Sequence, residues 1–233
     1  MEVLGVRVDN FKRKEILEKV FSFLSSNKFH QIATINPEFI LQTQKDRGFR
    51  EILNSCDLNI ADGFGIKLAF WRYGKNLKCR MAGVDLMRWI LKIAERKNLK
   101  VFLAANKNGL STWEKTREAI HKIYPQLQIS GENIDMDEGY AYLPDADVVF
   151  CNFGAPEQEK FLNGKKNGKI RLAMGVGGSF DYLTGKVKRA PQFIRAIGFE
   201  WFWRLLLQPN RWKRIWNAVI VFPIKVIFNK YNG

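Results

Sequence analysis

An α/β fold, with a Rossmann-like, largely parallel sheet covered by helices on both faces, is what this sequence predicts, and three observations carry the prediction. Apolar runs of strand length alternate with stretches of helical periodicity along most of the chain. Several runs end in glycine- or proline-bearing turns that open into a helix, as β-α units require. The 233 residues, 46% of them hydrophobic, suffice for a core buried between sheet and helix layers. From about residue 193 the composition changes, so the expected organisation is an α/β domain over 1–192 and an amphipathic helical tail over 193–233.

Residues 3–8 alternate apolar and polar and read as a first strand at a sheet edge. Ile16, Leu17, Val20, Phe21 and Leu24 then form one stripe of an amphipathic helix over 12–24. Residues 31–36 are a strand that stops at Pro37, which opens a helix to residue 44 with Asn36 as its N-cap. Leu58 and Ile60 end another strand, and Gly63 and Gly65 turn the chain into a helix over 66–71. After Gly83 a helix starting near Asp85 runs to about Lys97. Beyond it come a strand at 100–105, a helix at 110–124, and strands at 126–130, 147–152 and 170–175.

The formal charge of +15 calls for an anionic partner: nucleic acid, a phosphorylated small molecule or an acidic membrane surface. Its distribution narrows the choice. From Phe193 onward seven Lys and Arg stand against one acid, Glu200, among ten aromatic residues. Cys56, Cys79 and Cys151 are too scattered and too few for a disulfide framework, which suits a cytosolic setting. The first residues carry an acid and no long apolar run, so no secretory signal is expected. With only His30 and His121, a histidine-rich metal site or a serine-histidine-acid triad is disfavoured.

Asp62 is the focal residue. It stands at a strand's carboxyl end, where open α/β sheets bind ligands, and it either caps the following helix or faces a substrate. Thr34 and Asn36 end a second strand on a shared face. Arg80, beside the Gly83 turn, suits a phosphate or carboxylate, whereas Asp85 suits the first turn of its helix. Gly154 and Pro156 lead a strand into a helix whose first turn holds Gln158, and Gly175, Gly177 and Gly178 form a loop open to close approach by a diphosphate. Asp135-Met136-Asp137 and Asp145-Ala146-Asp147 are the metal candidates, but the second precedes its strand and no metal or other cofactor is expected. One well-placed carboxylate, amides, arginines and glycine loops fit transfer of a sugar from a nucleotide diphosphate to a hydroxyl.

Thr34-Ile35-Asn36, Ala61-Asp62-Gly63-Phe64-Gly65, Arg80-Met81-Ala82-Gly83-Val84-Asp85-Leu86, residues 154–160 and residues 175–191, continued by Gly198-Phe199-Glu200-Trp201-Phe202-Trp203-Arg204, together resemble the TagA/WecG/CpsF glycosyltransferases, family 26 among glycosyltransferases. The resemblance covers nearly the whole chain. It implies an inverting transferase that moves N-acetylmannosamine or its uronic acid from a UDP-sugar onto undecaprenyl-diphosphate-linked N-acetylglucosamine in teichoic acid, enterobacterial antigen or capsule synthesis. It implies Asp62 as general base, Thr34 and Asn36 holding substrate, Arg80 on the diphosphate, and Gln158, Gly154, Pro156, Gly175, Gly177, Gly178 and Asp85 around the substrates. Residues 103–109 depart from the family pattern, in which a glycine follows the strand more closely.

The tail then has a reason. Residues 192–207 and 211–228 form amphipathic helices with basic and aromatic faces suited to an anionic membrane surface at the cytoplasmic face of the cell membrane. The apolar part is shorter than the ~20 residues a spanning helix needs. Arg204, Arg211 and Arg214 are placed to close over the lipid diphosphate, with Trp212 and Trp216 at the membrane. The same aromatics can also pack the tail onto the domain. A different UDP-hexose donor and a homo-oligomer stay open. A basic nucleic-acid-binding module is the rival of another class, with no role for Asp62, and no nucleic-acid partner is expected; an inactive scaffold is disfavoured by intact Asp62, Asn36 and Gln158.

Overall fold

The computed structural model describes residues 1–136, 145–166, 169–196 and 198–229. The chain opens as a hairpin of β1 (Glu2–Val3) and β2 (Val6–Arg7), antiparallel to each other, and not as a strand of the main sheet. Leu4 and Gly5 both take positive φ, which reverses the chain within the stretch whose alternation suggested one strand. Beyond the hairpin, Asp9 meets the sheet through a single parallel bridge to Ile60.

The core is a six-stranded, wholly parallel sheet of β3 (His30–Ile35), β4 (Leu58–Ala61), β5 (Lys100–Asn106), β6 (Gln128–Ile134), β7 (Val148–Cys151) and β8 (Leu172–Gly175), in the order β4-β3-β8-β7-β5-β6. Parallel strands need crossovers: α2 (Pro37–Thr43) and α3 (Arg47–Ser55) join β3 to β4, α4 (Phe64–Arg72) and α5 (Gly83–Arg96) join β4 to β5, α6 (Trp113–His121) joins β5 to β6 and α7 (Glu157–Asn163) joins β7 to β8, while α1 (Arg13–Ser25) precedes β3 and α8 (Ser179–Leu183) follows β8. Alternation along β3 divides the core. Ile32 joins Val20 of α1 and Leu86 and Ile90 of α5 on one side, while Ala33 and Ile35 join Phe39, Phe49, Leu53 and Phe70 from α2, α3 and α4 on the other. A third cluster sets Leu162 of α7 against Val149 and Ala173.

Of these helices α8 was not expected from the sequence, and neither was α3. Asp46 caps it by accepting from the Phe49 amide at 2.9 Å, and its apolar contribution is only the buried pair Phe49 and Leu53. β6 runs further than expected, to Ile134, and α6 is shorter, beginning after Thr112.

The tail differs from two continuous helices. Its first part splits into α9 (Gln192–Ala196) and α10 (Glu200–Leu207) around Gly198, which has φ +85° and no room for a side chain, since a Cβ there would lie 2.6 Å from the Phe64 ring. The second part is one rod: a 3-10 turn at Pro209–Arg211, α11 (Trp212–Trp216), a π turn at Asn217–Val221 and α12 (Phe222–Phe228). The wider turn accommodates Pro223, which lacks an N–H and crowds the carbonyl four residues earlier. Phe222 and Val226 are buried in the same cluster as Ile66 and Phe70 of α4, and Arg72 donates to the Ile227 carbonyl at 3.0 Å. One face of the tail therefore packs onto the domain.

Candidate active site

Strand register brings the candidate residues together. Ile35 pairs with Ala61 and the Asp62 amide donates to the Ile35 carbonyl at 2.7 Å, so Asn36 and Asp62 leave the sheet side by side. The Met81 amide donates to the Ala61 carbonyl at 3.0 Å and places Arg80 and Gly83 against Asp62. On the other side of β3, Cys151 pairs with Gly175 and the loops after β7 and β8 emerge together. One cavity of about 470 Å³ spans these strand ends and the tail. It is lined by Thr34, Asn36, Asp62, Arg80, Gly154, Gln158, Gly175, Gly177 and Gly178 from the domain and by Arg204, Arg211 and Arg214 from the tail. Asp85, Pro156, Trp212 and Trp216 are not among its lining residues.

Asp62 does not cap α4, whose N-cap is Gly63 with no side-chain bond. Its carboxyl is pushed up from 3.8 to about 6, first by burial and then by the charge of Glu200; the Gly83 backbone amide, Arg204 and Arg80 pull the other way. A carboxylate so placed is ionised at neutral pH yet basic enough to take a proton from a hydroxyl. Asn36 caps α2 by accepting from the Phe39 amide at 3.1 Å, and both Asn36 and Thr34 line the cavity.

The glycine loops are less open to an anion than their composition suggested. The Gln158 side-chain oxygen accepts from the Gly154 amide at 3.1 Å and from the Gly177 amide at 3.0 Å, and its NH2 donates to Glu159 at 2.6 Å. The amide oxygen of Gln158 thus ties the two loops together, while its NH2 is held by the neighbouring Glu159. Gly175 has no open side toward this clasp, since a Cβ there would lie 2.4 Å from the Gln158 side-chain nitrogen. Gln158 itself is 2% exposed. Its backbone amide donates to the Gly154 carbonyl at 2.9 Å, so the amides of Gly154, Gln158 and Gly177 are all paired within the protein.

The arginines sit at the tail side. Arg80 donates to the Arg195 carbonyl at 2.7 Å, Arg204 lies over the Tyr182 ring with 5.2 Å to its centroid, and Arg214 pairs with Glu38 at the start of α2. Arg211 donates to Gln208 at 3.1 Å and is pulled down to about 10 by burial and by the neighbouring charges of Arg204 and Arg214. It stays protonated at neutral pH, in surroundings that a bound anion would relieve. Asp85 is held by Arg189 through two hydrogen bonds of 2.6 and 2.7 Å, which fasten the start of α5 to the segment leading into the tail. Among the described residues no group of three or more His, Cys, Asp or Glu converges as a cation site. Asp145 pairs with Lys100 and Lys169, Asp147 with Arg171, and Asp135 with Lys107; Asp137 lies outside the described residues.

Three carboxylates of the cavity escaped sequence reasoning: Glu38, Asp181 and Glu200. Glu200 had a signal, as the one acid in a tail of seven cations. Asp181, which accepts from the Ser111 hydroxyl at 2.8 Å, was hidden in a glycine-rich stretch read for its backbone.

Comparison with known proteins identifies the family. The family model described as glycosyl transferase WecG/TagA/CpsF family matches residues 1–233. The chain is 32% identical over 198 residues, covering 79% of it and 74% of the relative, to the N-acetylglucosaminyldiphosphoundecaprenol N-acetyl-beta-D-mannosaminyltransferase of Bacillus subtilis (strain 168). It is 33% identical to the protein of that name from Bacillus spizizenii, covering 83% of this chain and 77% of the relative. It is 30% identical to that of Staphylococcus aureus (strain MRSA252), covering 97% and 91%. The family match spans the whole chain, and this chain therefore belongs to the WecG/TagA/CpsF family of glycosyl transferases.

Proposed function

We propose that this enzyme transfers N-acetylmannosamine, or its uronic acid, from a UDP-sugar to N-acetylglucosamine carried on undecaprenyl diphosphate, with inversion at the sugar and without a metal, in cell-wall or surface-polysaccharide synthesis. The observation that carries the reading is Asp62, raised to about 6 in a cavity shared with four arginines. Asp62 removes the proton from the acceptor hydroxyl as its oxygen attacks the anomeric carbon opposite UDP. The bond from that carbon to the diphosphate oxygen breaks, the electron pair leaves with UDP, and the proton stays on Asp62. Thr34 and the Asn36 NH2 orient the reacting sugars. Arg80, Arg204, Arg211 and Arg214 offset charge on the two diphosphates, donor and acceptor. Gln158 acts by holding the loops of Gly154 and Gly177 in place, and Asp85 by anchoring Arg189.

In this reading residues 1–192 are the catalytic domain and 193–233 bind an anionic membrane surface from the cytoplasmic side. Support comes from the outward face of the rod, where Trp212, Trp216, Ile220, Ile224 and Ile227 are exposed beside Lys213 and Lys225. No helix among the described residues is long and apolar enough to cross a membrane. The test is to incubate the protein with a panel of UDP-sugars and a short-chain polyprenyl-diphosphate N-acetylglucosamine, then weigh the product and read its anomeric configuration. A disaccharide with inverted linkage from UDP-N-acetylmannosamine or its uronic acid supports the reading. Transfer from another UDP-hexose alone, or no transfer, overturns it.

A further inference from the structure

The cavity is lined by groups of two chemistries. Its polar lining holds the strand ends and the arginines, and its apolar lining comes from Phe64 and Leu68 of α4 and from Ile215, Ala218, Val219 and Pro223 of the rod. These four rod residues line the cavity, Trp212, Trp216, Ile220, Ile224 and Ile227 are exposed, and Phe222 and Val226 hold the rod to the core. Arg211 precedes Ile215 by a turn, and Arg214 precedes it by one residue. A molecule with its phosphates on those arginines therefore has an apolar path along the rod to its exposed apolar face.

We propose that this apolar lining is a throat for the isoprenoid chain of the acceptor, seating the isoprene units nearest the diphosphate. It rests on the sugar-transfer reading for the identity of the chain. From Arg214 to Pro223 the rod rises about 13 Å, enough for roughly two or three extended isoprene units. A chain held there fixes where the diphosphate lies and therefore which sugar hydroxyl reaches Asp62. The occupant is the acceptor's own chain and not an acyl chain of a bilayer lipid, because the throat begins at a cluster of cations inside the catalytic cavity.

Calorimetric binding to the full-length protein, without vesicles, tests the throat apart from transfer. The probes are inorganic diphosphate, geranyl diphosphate, farnesyl diphosphate and a soluble short-chain phosphatidylglycerol. The expected result is affinity that rises roughly tenfold or more for each isoprene unit seated, with little binding of the phospholipid. Ala218→Trp fills the throat from the rod and Leu68→Trp fills it from α4. Each is expected to bring farnesyl diphosphate back to the affinity of inorganic diphosphate while UDP still binds, which shows that the protein is folded. Equal affinity for inorganic and farnesyl diphosphate, or chain-length dependence that survives both tryptophans, overturns the throat. Phospholipid binding that matches farnesyl diphosphate and is lost in the same variants overturns the occupant. Chain-dependent binding in a protein that transfers no sugar leaves the throat standing and removes the transfer reading.

Discussion

Replacing Glu200 by glutamine isolates the charge that the tail brings to Asp62. Glu200 opens α10, and the packing of Gly198 on Phe64 fixes the turn that carries it over the cavity. Asp62 stands at about 6 and not 3.8, which corresponds to about 3 kcal/mol of discrimination against its ionised form. Burial is the larger cause and survives the substitution, so Glu200 supplies a part of that figure. The pKa of Asp62 in Glu200→Gln should therefore fall below about 6 while staying above 3.8. Asp62 works as a base only when ionised, so kcat/KM of the parent should drop tenfold per pH unit below about 6. In Glu200→Gln this acid limb moves to lower pH, and above neutrality the variant is slower because its base is weaker. Glu200→Asp keeps the charge and keeps the limb near that of the parent. Steady-state transfer measured across the acid and neutral range checks this. An acid limb that stays put in Glu200→Gln, or moves to higher pH, refutes the electrostatic link between tail and base.

Glu159 makes a prediction about stability. Burial pushes its carboxyl up to about 8, and among the described residues its second oxygen and the Gln31 side-chain oxygen are buried without partners, an arrangement suited to the protonated acid. The folded state then holds a proton that the unfolded state releases above 4.5, so stability is greatest below that value and declines as pH rises to about 8, by up to about 5 kcal/mol. Glu159→Gln should flatten this slope in calorimetric melts at several pH values; an unchanged slope would remove Glu159 as its source. Gly175→Ala would force a Cβ against Gln158 and Glu159, and overpacking of that kind costs about 1–3 kcal/mol. UDP affinity should drop with it as the loops of Gly154 and Gly177 shift, and a titration showing parental affinity would count against the clasp. Changing Trp212 and Trp216 together to Ser should weaken sedimentation with anionic vesicles and leave the melting temperature near that of the parent; unchanged sedimentation would overturn the membrane face.

Much of the domain was legible because its strands are short apolar runs that end at glycine or proline. Pro37 and Gly63 mark the strand ends that bear Asn36 and Asp62, and their meeting follows from parallel pairing of neighbouring strands. What local pattern does not carry is long-range geometry. The alternation at residues 3–8 could not tell a sheet strand from a hairpin, because the difference lies in the positive φ of Leu4 and Gly5. Gln158 looked like a ligand contact in sequence, yet its hydrogen bonds run to Gly154, Gly177 and Glu159, and Gly177 is far away in the chain. Glu200 enters the site only because the tail folds back over α4. Which rod residues line the cavity, lie exposed or pack on the core was also out of reach, since the π turn at Asn217–Val221 resets the helical phase on which faces are counted.

Asp62 as the base is tested most directly by single-turnover transfer in Asp62→Asn, with UDP-sugar and lipid-linked acceptor both bound. Asparagine keeps the shape and removes the proton acceptor. The expected result is a rate lower by about 10²–10⁴, with UDP affinity and melting temperature close to those of the parent. Transfer at a rate near the parent's would contradict the assignment of Asp62 and, with it, the mechanism built on this cavity.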